Sequence, residues 1–228
     1  MKTLAFECSA GAASCCVFDD ERLLGNIFSN VPLTHSQTLM PMAENLLSAL
    51  RLSFSDIDRL AVANGPGSFT GVRIGIAAVK GLAAARNIPC VPVSTLAAMA
   101  HLIPYDGVVC AVMDARCNQV YNALFSVKDG IYTRLCDARA LMADELMAEI
   151  EAKGERVTLV GDGAEMFMKK YESPLLYLPP EHLRFQNAVG VALAAVGEES
   201  VKYDELLPFY LRLPQAEREL KKRKEEIK

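Results

Sequence analysis

The sequence predicts an α/β protein of two lobes, each running strand, strand, strand, helix, strand, helix, strand. Short apolar runs, long enough for buried strands but too short for helices, alternate with longer segments whose apolar residues recur three and four positions apart. The same succession of elements occurs twice along the 228 residues. We therefore expect an N-terminal lobe over residues 1–104 and a C-terminal lobe over residues 105–228, the second ending in a charged tail.

In the first half, a buried run and two further strands precede the first helix. The two strands enclose a turn at Asp19 and Asp20, and Thr34 or Ser36 is able to cap the helix that follows. The predicted strands lie at 3–8, 15–18, 21–29, 60–63 and 91–93, and the predicted helices at 34–50, 70–87 and 94–105.

The second half repeats this order. Asp129 and Gly130 mark the turn between its second and third strands. The predicted strands lie at 108–113, 120–127, 131–136, 157–160 and 175–178, and the predicted helices at 143–153, 161–171 and 189–198. Two lobes of this order are the pattern of the actin-like, sugar-kinase and Hsp70-like ATPase fold. Proteins of that fold bind nucleotide in the cleft between the lobes.

The chain is organised around residues 64–81. A turn must follow the predicted strand at 60–63. Gly-Pro-Gly at 65–67 forms it, because proline fixes φ and glycine tolerates positive φ. On the helix that follows, Gly71, Gly75 and Ala78 share one face, so another backbone can approach that face closely. The residues leave two interpretations open. The turn cradles a phosphate at a helix N-terminus, or the glycines serve close packing within the fold or against a partner.

The run Gly-Pro-Gly-Ser-Phe-Thr-Gly-Val-Arg-Ile-Gly at 65–75 closely resembles the signature of the TsaB (YeaZ) family of tRNA threonylcarbamoyladenosine biosynthesis proteins. The resemblance extends over the whole chain, through the segments at 80–83, 93–96, 114–116, 161–164 and 210–212. It implies the actin-like fold and a role in placing a threonylcarbamoyl group, taken from threonylcarbamoyl-AMP, on the adenosine beside the anticodon of tRNA.

In that role the chain is expected to be a non-catalytic accessory subunit. The resemblance implies that TsaD performs the transfer, that the ATPase TsaE completes the assembly, and that tRNA binds only through the complex. It also implies that helices 34–50 and 70–86 pack against TsaD, and in its absence against a second copy of this chain. The predicted interface residues are His35, Leu39, Met40, Leu47, Thr70, Gly71, Ile74, Gly75 and Ala78. Leucine at Gly75 is then expected to abolish the heterodimer and to leave the monomer folded.

An independent nucleotide-dependent phosphotransferase or ATPase is the alternative function. Its candidate cleft residues are Glu7, Ser9, Asp114, Arg116, Gly161 and Gly163. The chain has Glu-Cys-Ser at 7–9 where the family usually has Asp-Thr-Ser, and the longer glutamate changes the geometry available to a rigid octahedral Mg²⁺. We expect no required cofactor, with weak ATP or ADP binding as the alternative.

Composition and residue spacing argue against several other classes of protein. The three histidines form no His-x-x-x-His pair, so no zinc or iron site is expected. The formal net charge of −4 gives no general attraction to nucleic acid. Seven cysteines without a Cys-x-x-Cys motif indicate reduced thiols in a cytoplasmic protein. Glu7 interrupts the first apolar run, which argues against a signal peptide, and no apolar run is long enough for a membrane span.

Overall fold

The structure is a computed structural model that describes residues 1–31 and 34–212. The predicted charged tail at 215–228 lies outside the described residues. Eleven strands and six α-helices run in the order β1 (Lys2–Glu7), β2 (Ala13–Asp19), β3 (Arg22–Ser29), α1 (His35–Ala49), β4 (Arg59–Gly65), α2 (Phe69–Ala84), β5 (Cys90–Ser94), α3 (Thr95–Ala100), β6 (Gly107–Asp114), β7 (Gln119–Lys128), β8 (Ile131–Arg134), β9 (Arg139–Met142), α4 (Ala143–Lys153), β10 (Val157–Val160), α5 (Ala164–Tyr171), β11 (Leu176–Tyr177) and α6 (Ala188–Ala194). None of the helices within these ranges is long and apolar enough to cross a bilayer.

The two sheets have the same strand order. The first runs β3-β2-β1-β4-β5 and the second, read in the same sense, β8-β7-β6-β10-β11. In both, the first three strands pair antiparallel, and the two strands that follow helices lie parallel to the first. This duplicated order confirms the predicted two-lobed fold of the actin-like ATPase type.

The sequence prediction missed one strand, β9, which pairs antiparallel with the first residues of β7. It has four residues and leads directly into α4. A segment this short shows no alternation of polar and apolar residues by which a strand is recognised.

The two lobes exchange their last helices. Helix α6, near the end of the chain, packs on β1, β2 and β4 of the first sheet, where Ala188 and Val191 join the apolar layer around Ala5 and Cys16. Helix α3, which follows the first sheet, contributes Leu96 and other side chains to the core over β6 and β7. Helix α6 thus covers the sheet of the other predicted lobe, and α3 also contacts β4 and β5 of the first sheet; the division into 1–104 and 105–228 stays a prediction. Both helices are rich in alanine and apolar all round, so their sequences do not indicate which sheet they cover.

Candidate functional site

The turn at 65–68 brings the start of α2 against the end of β1. The amide of Ser68 donates a hydrogen bond to the carbonyl oxygen of Ser9 over 2.7 Å. The Ser68 hydroxyl caps α2 by accepting a hydrogen bond from the amide of Gly71 at 3.3 Å, and Thr70 lies inside the helix. The two lobes enclose a cavity of about 590 Å³ beside this turn. Its lining includes Ser9, Ala10, Gly11, Pro66, Gly67, Ser68, Phe69, Thr70, Met113, Asp114, Ala115, Arg116, Tyr121, Asp162, Phe209, Tyr210, Leu211 and Arg212.

Three of the predicted cleft residues, Ser9, Asp114 and Arg116, line this cavity together. Asp114 accepts a hydrogen bond from the backbone amide of Arg116 over 2.7 Å. This bond closes a turn in which Arg116, Cys117 and Asn118 all have positive φ, at 63°, 55° and 58°. The Asp114 carboxylate therefore shapes the turn that presents the Arg116 side chain.

Glu7 lies beneath the cavity with none of its surface exposed. Its Oε1 accepts a hydrogen bond from the amide of Ser9 at 2.5 Å. Burial raises the pKa of Glu7 to about 7, against the opposing effect of the hydrogen bond from the Ser9 amide. Glu7 Oε2 and the Ser9 hydroxyl oxygen are both buried without a hydrogen-bond partner among the described residues. Within residues 1–31 and 34–212 no group of three His, Cys, Asp or Glu side chains is placed to hold a metal ion.

Gly161 and Gly163 do not line the cavity. A β-carbon at Gly161 would overlap the carbonyl of Val112, and one at Gly163 would lie 3.1 Å from the amide nitrogen of Asp114. Both glycines therefore allow the turn before α5 to pack closely on β6. Neither glycine is among the residues that line the cavity, and their assignment to a nucleotide site stays a prediction. Asp162 between them does line it, and accepts a hydrogen bond from the Gln186 side chain over 2.7 Å.

The predicted partner interface is divided between the inside and the outside of the first lobe. Gly71 and Gly75 are buried, and a β-carbon at Gly75 would lie 3.0 Å from Cys8 Sγ and 3.3 Å from Val62 Cγ2. These two glycines face their own lobe, which corrects the prediction that they contact a partner. Leu39 and Leu47 are also core residues. Of the remaining predicted residues, Thr70 is exposed and His35, Met40, Ile74 and Ala78 are half-buried.

The outward face of α2 was not identified from the sequence. Ala77, Gly81 and Ala84 are exposed and, with Thr70, follow one another at spacings of seven, four and three along the helix. A β-carbon at Gly81 would meet nothing within 4 Å. The helix therefore presents small residues both inward and outward. The helical spacing of the outward residues could have identified them from the sequence. The inward glycines have a similar helical spacing, so spacing alone does not separate the two faces.

His35 connects α1 to the cavity floor. Its ring Nε2 lies 2.7 Å from the carbonyl oxygen of Ala10, in the loop between β1 and β2. The same loop receives the amide of Ser68 from the start of α2. The first turns of α1 and α2 thus both hold the loop that carries Ser9.

Comparisons with known proteins agree with this architecture. The family model described as TsaD, tRNA N6-adenosine threonylcarbamoyltransferase, matches residues 29–173. The tRNA threonylcarbamoyladenosine biosynthesis protein TsaB of Escherichia coli is 35% identical over 168 residues, which are 72% of each chain. The chain belongs to the TsaB family.

Two other relatives extend the match over nearly the whole TsaB-family chain. The tRNA threonylcarbamoyladenosine biosynthesis protein TsaB of Bacillus subtilis is 28% identical over 225 residues, covering 95% of this chain and 96% of its own. The solved structure of YeaZ from Pseudomonas aeruginosa is 28% identical, with a TM-score of 0.76 over 92% of this chain and 99% of that one. The prediction of family membership, made from the motif at 65–75, is confirmed.

Proposed function

We propose that this TsaB-family chain takes part in tRNA threonylcarbamoyladenosine biosynthesis as a non-catalytic accessory subunit. In this role it binds and activates a TsaD-type transferase, which moves the threonylcarbamoyl group from threonylcarbamoyl-AMP to the adenosine beside the anticodon, with TsaE completing the assembly. The observation that carries the proposal is the match to TsaB proteins over nearly the full length of both chains. The chain acts in the cytoplasm, and tRNA contacts it only as part of the complex.

The exposed face of α2 supports the partner role. Helices α1 and α2 lie on one face of the first sheet, above the core that includes Leu4 and Phe6. The small side chains at Ala77, Gly81 and Ala84 let a helix from a partner approach closely, because they add little bulk between the two backbones. We assign the TsaD contact to this outward face, with Thr70 and the half-buried Met40 and Ile74 at its margin.

Size-exclusion chromatography with light scattering tests this assignment, using the chain mixed with TsaD from the same organism. We expect a one-to-one complex, formed at the expense of any homodimer of the chain. Ala77→Arg places a long charged side chain on the proposed contact and should abolish the complex. Ala148→Arg, an equally exposed alanine on α4, is the matched control and should leave it intact. A complex that survives Ala77→Arg unchanged would contradict the assignment to α2.

Nucleotide binding is the second candidate function. The specific observation in its favour is the cavity of about 590 Å³ above two buried polar atoms, Glu7 Oε2 and Ser9 Oγ, that lack partners among the described residues. Calorimetric titration with ATP and Mg²⁺ is the test. Saturable binding that Glu7→Ala or Ser9→Ala removes would favour this function, and absence of binding would count against it.

A further inference from the structure

Residues 207–212, which we call the strap, cross from the first lobe to the second beside the interlobe cavity. The amide of Phe209 donates a hydrogen bond to the carbonyl oxygen of Asn64 at 2.7 Å, and the Asn64 side chain donates to the carbonyl of Leu207 at 3.3 Å. A β-carbon at Gly65 would overlap the carbonyl of Phe209. The glycine at 65 therefore leaves room for the strap, which lies directly on the end of β4.

Tyr210 fixes the strap to the first turn of α2. Its ring stacks on that of Phe69 with 4.7 Å between centroids and 26° between planes. Its hydroxyl oxygen accepts a hydrogen bond from Arg73 Nε at 2.9 Å. The Arg73 guanidinium also lies 3.7 Å from the centroid of the Phe69 ring, where cation–π attraction holds it. The strap is therefore attached to the first lobe by stacking and a hydrogen bond at Tyr210, in addition to the backbone contacts at Asn64.

Arg212 makes the contact with the second lobe. Its Nη1 donates a hydrogen bond to the carbonyl oxygen of Ala115 over 3.0 Å, in the turn that follows β6. Only three positions separate Arg212 from Phe209, so the strap ties the end of β4 to the end of β6. Phe209, Tyr210, Leu211 and Arg212 all line the cavity, and the strap thereby forms part of its wall.

We propose that the strap is a latch that holds the two lobes together on the cavity side and opens by release of Arg212 from Ala115. The attachment to the first lobe combines backbone hydrogen bonds, aromatic stacking and the Arg73 contact. The attachment to the second lobe, among the described residues, is one hydrogen bond from a half-buried side chain. The weaker end of such a segment separates first. Elsewhere the lobes are joined by the exchanged helices α3 and α6, which pack against each other and remain in place when the latch opens.

Hydrogen exchange followed by mass spectrometry on the full chain tests the latch. In Arg212→Ala we expect amide exchange to increase at least tenfold in the turn at 114–118, with no change in α4 or at Phe209, whose amide stays bonded to Asn64. Arg212→Lys keeps a cationic donor and should restore part of the protection. Arg86→Ala is the matched control, because Arg86 also donates to a backbone carbonyl, that of Phe54, but within one lobe. It should leave exchange at 114–118 unchanged.

Tyr210→Ala releases the other end of the strap. We expect faster exchange in residues 207–212 and at the start of α2, again without change in α4. Two results would overturn the proposal. One is exchange within twofold of the wild type at 114–118 in Arg212→Ala. The other is an increase spread equally over α4, which would indicate a general loss of stability and no latch.

Discussion

The thiol of Cys8 donates a hydrogen bond to the carbonyl oxygen of Gly71 over 3.2 Å, joining the end of β1 to the first turn of α2. Burial raises the pKa of Cys8 to about 12, so the group stays a thiol and keeps the proton that it donates. The close contact exists because Gly71 has no side chain. The family motif at 65–75 is therefore, in this part, a packing motif within one lobe.

The two small faces of α2 should respond oppositely to an added methyl group. We expect Gly71→Ala to lower the free energy of unfolding by ~1–3 kcal/mol, because the new β-carbon overlaps the Cys8 carbonyl. Gly81→Ala should raise it by ~0.5–1 kcal/mol, because its β-carbon has open space and alanine loses less backbone entropy in a helix. Urea unfolding of both variants measures the difference. A neutral Gly71→Ala would mean that β1 and α2 are less closely packed than described.

By the same argument, leucine at Gly75 should destabilise the monomer. This prediction departs from the expectation from the sequence that the Gly75→Leu monomer stays folded and loses only its partner. Thermal unfolding of the variant alone separates the two outcomes. A melting temperature equal to that of the wild type would restore the earlier interpretation.

Glu7 should make stability depend on pH. Its pKa in the folded state is raised to about 7, from an ordinary value of 4.5, so the folded protein holds a proton that the unfolded chain has already lost. The stabilising effect of that proton is fully present below pH ~4.5 and is lost as the pH rises through ~7, by up to ~3 kcal/mol. Glu7→Gln should remove this component between pH 5 and 8. Urea unfolding between pH 5 and 8 measures this effect. Identical pH profiles for the wild type and Glu7→Gln would contradict the assignment of the pH dependence to Glu7.

Ser14 anchors the exchanged helix α6 to the first lobe. Its buried hydroxyl oxygen accepts a hydrogen bond from the amide of Ala188 at 2.7 Å. Ser14→Ala leaves that amide without its partner, and we expect a loss of ~1–3 kcal/mol in the free energy of unfolding. Ser55→Ala, at an exposed position, is the control and should change little. Equal stabilities for the two variants would argue against this anchor.

The sequence was sufficient for the order of ten of the eleven strands, all but β9, but not for which of the two small-residue faces of α2 points into its own lobe. Strand runs such as 3–8 and 157–160 are apolar and bounded by turns, so their positions and sequence follow from local pattern. Helix α2 is apolar almost all round, and its inward Gly71 and Gly75 have the same character as its outward Ala77 and Gly81. Only the position of β1 against the helix decides between them.

In the cleft, too, some features follow from local sequence patterns and others depend on contacts between distant residues. Ser9, Asp114 and Arg116 line one cavity, because equivalent strands of the two lobes end there. Their role in nucleotide binding stays a prediction. The burial of Glu7 and the path of the strap depend on contacts between distant parts of the chain. Local patterns carry no information about Phe209 lying on Asn64, since these residues are separated by most of the sequence.

Reconstituted transfer is the most direct test of the proposed function. Threonylcarbamoyladenosine would be measured in tRNA after incubation with threonylcarbamoyl-AMP, TsaD and TsaE from the same organism, with and without this chain. We predict product only when the chain and TsaD are both present, with at least tenfold less for Ala77→Arg and no loss for Ala148→Arg. Equal product without the chain, or product from the chain without TsaD, would contradict the role of a non-catalytic activating subunit.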